Sequence, residues 1–286
     1  NMNSVRREGW FEVIPLKEHL VVIREKLSEI EPRYHTHYSN LYLLLGSVSA
    51  LLIDTGSGLC PLRSLVEELI EERNLLVVNT HAHFDHIGGN GEFEEIYIHE
   101  SESTRAKHPL DVSFLKDSPA KTASNYEDRN YLLPPATHVN MLKDEKVFHL
   151  GGLDVTTLHA PGHSLGSTCL YTDEGEFFTG DAAHYGAVFL PPRPHLLTVL
   201  GSLSRMIRAC EEKLLTELFP SHETYQVNPD LLSKMLRDLG NIERVWGNRE
   251  PDEFNHSWKI LRDEFTYLIE VDAREQEGFK LRLNSS

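Results

Sequence analysis

Cysteine is scarce in this chain. Three occur among 286 residues, at Cys60, Cys169 and Cys210. They lie far apart and form no Cys-x-x-Cys pair, so the sequence indicates neither a disulfide framework nor a thiolate zinc site. This pattern fits a reducing compartment, and we expect a cytoplasmic protein.

Long apolar runs are also missing. No stretch approaches the ~20 apolar residues that a membrane-spanning helix needs. The first residues, NMNSVRREGWFEV, lack the apolar centre of a secretory signal. We expect no membrane partner, and we interpret Asn1, which precedes Met2, as a remnant of tag removal outside the fold.

Positive charge is in deficit as well. Lys and Arg number 28 against 44 Asp and Glu, which leaves a formal net charge of −16. A field of this sign opposes approach to nucleic-acid phosphates and anionic membranes. We therefore expect a small-molecule partner and no nucleic acid, and we leave a homodimer open.

Histidine, in contrast, is abundant, with 16 residues. The stretch NTHAHFDHIGG, residues 79–89, follows an apolar run and places four metal-binding side chains within six residues: His81, His83, Asp85 and His86. The first two can face one ion while the other two face a second, ~3.5–4 Å away. Imidazole and carboxylate without thiolate suit Zn²⁺, with Fe or Mn as alternatives.

Four side chains leave two ions short of ligands, so further ligands are expected after later strands. Each of three apolar segments is followed by such a residue: His163 in HAPGHSLGS, Asp181 in EFFTGDAAH and His222 in ELFPSHE. Asp54 ends an earlier apolar run in LLIDTG. A carboxylate at that position is expected to orient ligating histidines.

Taken in order, IDTG, THAHFDHIGG, APGHSLGS, FTGD and FPSHE resemble the five motifs of the metallo-β-lactamase fold superfamily. The resemblance implies an α/β fold, the αββα sandwich, with two metals at one edge of its sheets. It implies that His81, His83 and His163 bind one ion. It also implies that Asp85, His86 and His222 bind the other, and that Asp181 bridges both. Asp54 is implied to orient the site from behind the ligands.

The domain organisation follows from the pattern of apolar segments. A strand, helix, strand rhythm predicts a layered catalytic core over residues 10–227. Prolines and small polar residues interrupt this rhythm at about 101–142, which predicts an inserted, lid-like segment. A C-terminal helical segment packed on the core is predicted for 228–271, followed by a polar, poorly ordered tail at 272–286.

Two adjacent divalent ions predict hydrolysis. They lower the pKa of a shared water and stabilise a developing oxyanion, so a metal-bridging hydroxide is expected to attack a thioester or related acyl-ester carbonyl. Asp85 is expected to orient the hydroxide, with Asp54 supporting the site. A thiolate leaves without much protonation, and the resemblance favours acyl-CoA or glyoxalase II-like substrates. A lactonase, a mono-iron persulfide dioxygenase and a non-catalytic metal-dependent sensor or ligand-binding protein are the alternatives.

A second H-x-H pair occurs in RYHTHYSN, residues 33–40. Because the two-metal site is already complete, we expect His35 and His37, with Tyr38, to form a wall of the substrate pocket. His184 and Tyr185 follow the bridging aspartate and are expected to line the same pocket. Arg105, Lys107, Lys121 and Arg129 in the insertion are either solvated or in contact with a phosphate-bearing substrate such as a CoA.

Overall fold

The computed structural model describes residues 5–7 and 9–285. Its strands are β1 (Val5–Arg7), β2 (Phe11–Lys17), β3 (Leu20–Glu25), β4 (Ser39–Leu45), β5 (Ser49–Ile53), β6 (Asn74–Val78), β7 (Glu95–His99), β8 (Leu110–Asp111), β9 (Leu132–Leu133), β10 (His138–Leu142), β11 (Val147–His149), β12 (Asp154–His159), β13 (Thr168–Thr172), β14 (Glu176–Gly180), β15 (Gly186–Leu190), β16 (Glu217–Pro220), β17 (Glu250–Asp252), β18 (Ser257–Leu261) and β19 (Phe265–Glu270). Its helices are α1 (Arg63–Ile70), α2 (Phe84–Ile87), α3 (Glu100–Ala106), α4 (Leu196–Lys213), α5 (Asp230–Gly240), α6 (Ile242–Val245) and α7 (Gln276–Leu283). Asn1, interpreted as a remnant of tag removal, and Ser286, the last residue of the predicted tail, lie outside the described residues.

Two sheets face each other in the core. The first has the order β1-β2-β3-β4-β5-β6-β7-β10 and the second the order β11-β12-β13-β14-β16. In the first sheet, β1 to β5 pair antiparallel, whereas β5, β6, β7 and β10 pair parallel. Parallel neighbours need crossover connections, and the segments containing α1, α2 and α3 provide them.

Alternation along the strands builds three apolar layers. Leu20 and Val22 of β3 pack between the sheets, while Val21 and Ile23 of the same strand face the outer layer that contains α1. Both faces of the strand are therefore buried, which explains its continuous apolar sequence. A third cluster packs α4 and α5 against the outer face of the second sheet. This order of layers confirms the predicted αββα sandwich.

The C-terminal region differs from the expectation. Residues 228–271 were predicted to be helical, but α5 and α6 are followed by β17, β18 and β19, which join β15 in a further sheet. The segments SWKIL and FTYLIE are rich in aromatic and β-branched residues, which favour strands. The predicted poorly ordered tail contains α7, whose Phe279 is 2% exposed and packs 5.1 Å from the Trp258 ring.

The segment at about 101–142 is more ordered than predicted. It contains α3, a β8–β9 pair, 3₁₀ turns at 113–117 and 121–129, and β10 at the edge of the first sheet. Leu115, Tyr126 and Leu133 are buried, and Tyr126 Oη donates to the Ser57 carbonyl at 2.9 Å. Short 3₁₀ turns and two-residue strands leave little periodicity in a sequence, so the sequence pattern does not predict this packing.

No helix in the described part of the chain is both long enough and apolar enough to span a membrane.

Candidate metal centre and its cavity

The predicted ligands converge at one edge of the two sheets. Parallel strands present their carboxyl ends at a common edge, where α/β proteins form their sites. Asp54 follows β5 and His81 comes shortly after the parallel strand β6. Asp181 follows β14 and His222 comes shortly after the parallel strand β16. The side chains that meet there are His81, His83, Asp85, His86, His163, Asp181 and His222.

The first cluster contains three imidazoles. His163 Nε2 lies 3.1 Å from His81 Nε2 and 2.9 Å from His83 Nδ1, and the last two nitrogens are 3.1 Å apart. His81 is fully buried. Three ring nitrogens facing one another cannot all be satisfied by hydrogen bonds among themselves, but they suit a shared cation.

The second cluster combines carboxylates with imidazoles. Asp85 Oδ2 lies 3.3 Å from His86 Nε2 and 3.4 Å from His222 Nε2. Asp181 Oδ1 lies 3.2 Å and 3.1 Å from the same two nitrogens. A second group of metal-binding atoms is thereby assembled beside the first.

Asp181 stands between the two clusters. Its Oδ1 faces His86 and His222, whereas its Oδ2 lies 3.3 Å from His163 Nε2 and 3.7 Å from His81 Nε2. Because Oδ2 also lies 3.1 Å from His222 Nε2, it contacts both groups of ligands, whereas Oδ1 faces the second group. This is the arrangement expected of a bridging carboxylate in a two-metal site.

Two buried atoms in the centre support a fit to divalent cations. His86 Nε2 and Asp181 Oδ1 make no hydrogen bond within the described residues although both are buried. Unsatisfied buried polar atoms are costly. Because both belong to ligand types that bind first-row metals, the donor set fits such ions.

Hydrogen bonds on the far side of the rings orient three of the histidines. His86 Nδ1 donates to Asp54 Oδ2 at 2.7 Å, His163 Nδ1 to the Phe189 carbonyl at 2.8 Å, and His222 Nδ1 to the Tyr38 carbonyl at 3.1 Å. Each bond places a proton on Nδ1 and directs Nε2 toward the centre. Such outer contacts set the tautomer and raise the basicity of the ligand.

Asp54 connects both clusters. It is fully buried and has a left-handed φ of 66° at the end of β5. Besides His86, it accepts hydrogen bonds from the Thr80 amide and the Thr80 hydroxyl, both at 2.8 Å. Thr80 Oγ1 is in turn 3.0 Å from His81 Nδ1. Asp54 thus orients His86 directly and His81 through Thr80.

Close backbone approach holds the motif against the neighbouring loop. The Thr55 amide donates to the His86 carbonyl at 2.9 Å, and the Gly88 amide to the Gly56 carbonyl at 2.8 Å. A Cβ on Gly88 would lie 2.3 Å from the Ser57 carbonyl oxygen. Only glycine permits this approach.

Burial sets the protonation of the first cluster. Burial, followed by repulsion from His163, lowers the pKa of His83 to about 3. Burial and the neighbouring His86 lower the pKa of His81 well below its ordinary value. Both imidazoles are therefore neutral at pH ~7, with lone pairs available to a cation.

Attraction between opposite charges dominates the second cluster. Burial by itself lowers the pKa of His222, but the charge of Asp181 raises it to about 9. Burial raises the pKa of Asp85, yet His86 and His222 lower it to about 2. A cation held by His222 Nε2 would take the place of the proton on that nitrogen.

Comparison with known proteins identifies the family of this chain. Residues 36–275 match the family model of the metallo-beta-lactamase superfamily. The chain belongs to the metallo-β-lactamase superfamily. A metallo-beta-lactamase from Pontibacter korlensis aligns with a TM-score of 0.59 and 19% identity over 81% of this chain and 99% of that chain. At such identity the likeness shows the fold alone.

Superfamily members similar in sequence include two named for hydrolysis. The acyl-coenzyme A thioesterase MBLAC2 of Gallus gallus is 31% identical over 231 residues, which cover 74% of this chain and 80% of the relative. The cytoplasmic hydroxyacylglutathione hydrolase of Saccharomyces cerevisiae is 26% identical over 219 residues, with 73% and 72% covered. The predicted family and the predicted hydrolase class are confirmed at this level.

A cavity of about 260 Å³ opens onto the two clusters of metal-binding side chains. Ligand side chains form its floor, and an apolar wall completes it with Leu27, Tyr34, Phe84, Phe114 and Phe189. The rings of Tyr34 and Phe84 stack at 6.0 Å, and Phe84 meets Phe114 edge-on at 5.4 Å. Thr36 and Arg105 also line the cavity. Sequence reasoning missed this aromatic wall, although Phe84 lies within the metal motif and Tyr34 directly precedes His35.

The second H-x-H pair is placed differently from the expectation. His35 adopts a left-handed φ of 59°, and its Nε2 lies 2.7 Å from Asp252 Oδ2, away from the cavity. The exposed His37 lies beside Glu223, whose carboxylate accepts from the His37 amide. Tyr34 and Thr36, which flank His35 in the sequence, form the wall that was predicted for the histidines.

The other predicted pocket residues also lie behind the cavity. The Tyr38 ring packs against the Arg24 guanidinium at 3.9 Å, and only its carbonyl supports the centre through His222. His184 is buried, with its ring 5.3 Å from the His222 ring. Tyr185 Oη accepts from Lys234 Nζ at 3.2 Å. None of these three side chains lines the cavity in the described residues.

Proposed function

We propose that this protein is a metal-dependent hydrolase of acyl thioesters. The observation that carries the proposal is Asp181, which faces both clusters of metal-binding atoms at the floor of a cavity with an aromatic wall. The names of the chicken and yeast relatives support a thioester as the bond that is cleaved. We further propose a cytoplasmic protein, supported by the small number of cysteines and the absence of a Cys-x-x-Cys pair in the sequence.

Two divalent ions, preferably Zn²⁺, are proposed to bind here. One would be held by His81, His83 and His163, the other by Asp85, His86 and His222, with Asp181 shared. When bound, such ions supply an activated water at neutral pH and stabilise negative charge on a carbonyl oxygen.

Residues of the chain prepare the site for this chemistry. Asp54 and the carbonyls of Tyr38 and Phe189 hold the imidazoles in fixed tautomers, so no reorientation is needed during reaction. Asp85 lines the cavity and remains ionised, because attraction to His86 and His222 lowers its pKa despite burial. Its carboxylate is placed to accept a hydrogen bond from the attacking water and to orient it.

The apolar wall defines where the substrate lies. Tyr34, Phe84, Phe114 and Phe189 surround the approach to the ligands. Aromatic side chains bury large apolar area and exclude water from the reacting bond. We infer that this wall contacts the acyl group. The departing thiolate is stable without protonation, so the reaction needs no strong acid on the opposite side.

The experiment compares the two H-x-H pairs. Purified protein loaded with zinc should contain about two ions per chain. It should hydrolyse members of a panel that includes acyl-CoA, S-lactoylglutathione, lactones and glutathione persulfide. His81→Ala should lose metal and turnover, whereas the matched control His37→Ala should keep both. Unchanged thioester turnover in His81→Ala contradicts the proposal. Turnover confined to lactones, or to persulfide with iron, assigns a different reaction to the centre.

A further inference from the structure

Arg105 is a cation at the edge of the cavity. It lies on α3, is exposed and lines the cavity together with Tyr34 and Phe114. Within the described residues its guanidinium makes no hydrogen bond or ion pair. Glu102 on the same helix is engaged elsewhere, since its carboxylate accepts from the Ser164 hydroxyl and from the Gly166 amide at 3.1 Å.

The charge of Arg105 contrasts with its surroundings. The chain carries a net charge of −16, and the carboxylates that line the cavity, Asp85 and Asp181, belong to the metal centre. A field of this sign repels anionic molecules. An unpaired guanidinium at the cavity edge provides local attraction, and its planar donors match phosphate or carboxylate oxygens.

The size of the cavity indicates which part of a substrate meets Arg105. A volume of about 260 Å³ is below the ~300–1,000 Å³ typical of sites for drug-sized ligands. Only the reacting end of a long thioester therefore fits inside. The thiol carrier must continue past the edge, where the exposed Arg105 lies.

We propose that Arg105 binds the anionic group of the thiol carrier, a phosphate or a carboxylate, and thereby determines which carrier is accepted. This inference rests on the proposed thioesterase function and extends it from the acyl group to the leaving group. Arg105 is a specificity residue: it holds the carrier and takes no part in bond cleavage.

The test uses one acyl group on three carriers: CoA with phosphates, glutathione with carboxylates, and neutral pantetheine. Arg105→Gln should raise KM for the recognised anionic carrier about tenfold or more with little change in kcat, since charge-assisted hydrogen bonds of this kind stabilise binding strongly. KM for the pantetheine thioester should stay unchanged. Arg105→Lys should restore part of the affinity. The carrier that loses affinity identifies phosphate or carboxylate.

Lys107→Gln is the matched control, because Lys107 is an exposed cation two residues away that does not line the cavity. It should leave all three KM values unchanged. An equal rise in KM for pantetheine, or no rise for either anionic carrier, overturns the proposal. Calorimetric binding of free CoA and free glutathione to the wild type and Arg105→Gln gives a readout that does not need turnover. If no thioester is hydrolysed, the proposed function fails, while loss of carrier binding in Arg105→Gln still supports, and equal binding still refutes, the role of Arg105.

Discussion

Asp54 Oδ2 accepts a hydrogen bond from His86 Nδ1 at 2.7 Å, with both side chains buried. The same oxygen accepts from the Thr80 hydroxyl at 2.8 Å, and Thr80 Oγ1 contacts His81 Nδ1. One carboxylate thus controls the orientation of a histidine in each cluster. A residue that binds no metal itself is therefore central to the geometry of the site.

Replacing Asp54 by asparagine should weaken metal binding about 10- to 100-fold, the usual effect of losing such a supporting contact. The amide has one acceptor oxygen where the carboxylate has two, so the bonds from His86 and Thr80 cannot all persist. Zinc affinity measured against a competing chelator tests this. The control is Asp252→Asn, which alters a similar aspartate–histidine pair, Asp252 with His35, away from the cavity. Equal affinities for Asp54→Asn and the wild type contradict the role.

Asn79 and Asn90 bracket the metal motif with a reciprocal amide pair. Asn79 Nδ2 donates to Asn90 Oδ1 at 3.1 Å, and Asn90 Nδ2 donates to Asn79 Oδ1 at 2.9 Å. Both are buried. Asn90→Ala should lower the free energy of unfolding by about 1–3 kcal/mol, because it leaves the amide of Asn79 short of partners. Urea denaturation measures this.

Metal affinity should fall in the same Asn90 variant, since hydrogen bonds between the side chains of Asn79 and Asn90 no longer join the two ends of the metal-binding motif. Asn140→Ala is the control: Asn140 is half-buried and its amide bonds Glu95 at the sheet edge. A loss of stability in Asn140→Ala as large as in Asn90→Ala would show that the Asn79–Asn90 pair contributes no more to stability than an amide hydrogen bond at the sheet edge.

Phe114 should influence the preference for acyl chains. It is 39% exposed, lines the cavity and packs edge-on against Phe84. Phe114→Ala removes apolar contact area, so KM for a long-chain acyl thioester should rise several-fold, roughly as expected for a partly buried ring, while KM for the acetyl thioester should change little. Leu132→Ala is the control, since Leu132 is 44% exposed and does not line the cavity. A uniform change across chain lengths would exclude a role in acyl selection.

A cluster away from the site should affect the pH dependence of stability. Lys17 Nζ lies 2.6 Å from Glu217 Oε1 and 2.9 Å from Glu176 Oε2. Burial lowers the pKa of Lys17, but its hydrogen bonds to the two carboxylates raise it above its ordinary value. Burial raises the pKa of Glu217, but the hydrogen bond from Lys17 lowers it.

The stabilisation from Glu217 is therefore present above its unfolded pKa of 4.5 and is lost as pH falls through the lower folded value. That from Lys17 is present below 10.5 and is lost as pH rises through its higher folded value. Glu217→Gln should cost about 1 kcal/mol or less at pH ~7, as for partly exposed ion pairs. The difference from the wild type should disappear in acid. A difference that persists unchanged at pH ~3 would contradict the assignment to this pair.

Some features of the fold were beyond sequence reasoning for identifiable reasons. Strands β18 and β19 show strong strand-forming composition, yet they come after α5, α6 and the short strand β17, and the sequence prediction extends the helical region over them. The 3₁₀ turns around Leu115 and Tyr126 have no regular period. Their burial depends on contacts with distant residues, such as the bond from Tyr126 to Ser57.

The sequence by itself determined the family, the αββα sandwich and the set of side chains at the proposed metal centre. It did so because the ligands are concentrated in short motifs, each directly after an apolar segment, and parallel strands bring such ends to one edge. Only the tertiary structure decided which residues surround the ligands. A left-handed turn at His35 places Tyr34 and Thr36 in the cavity wall and directs His35 to Asp252. The position of Arg105 beside Tyr34 depends on the packing of α3, which no local pattern specifies. The proposed chemistry therefore follows from motifs, whereas the proposed specificity follows from contacts between distant parts of the chain.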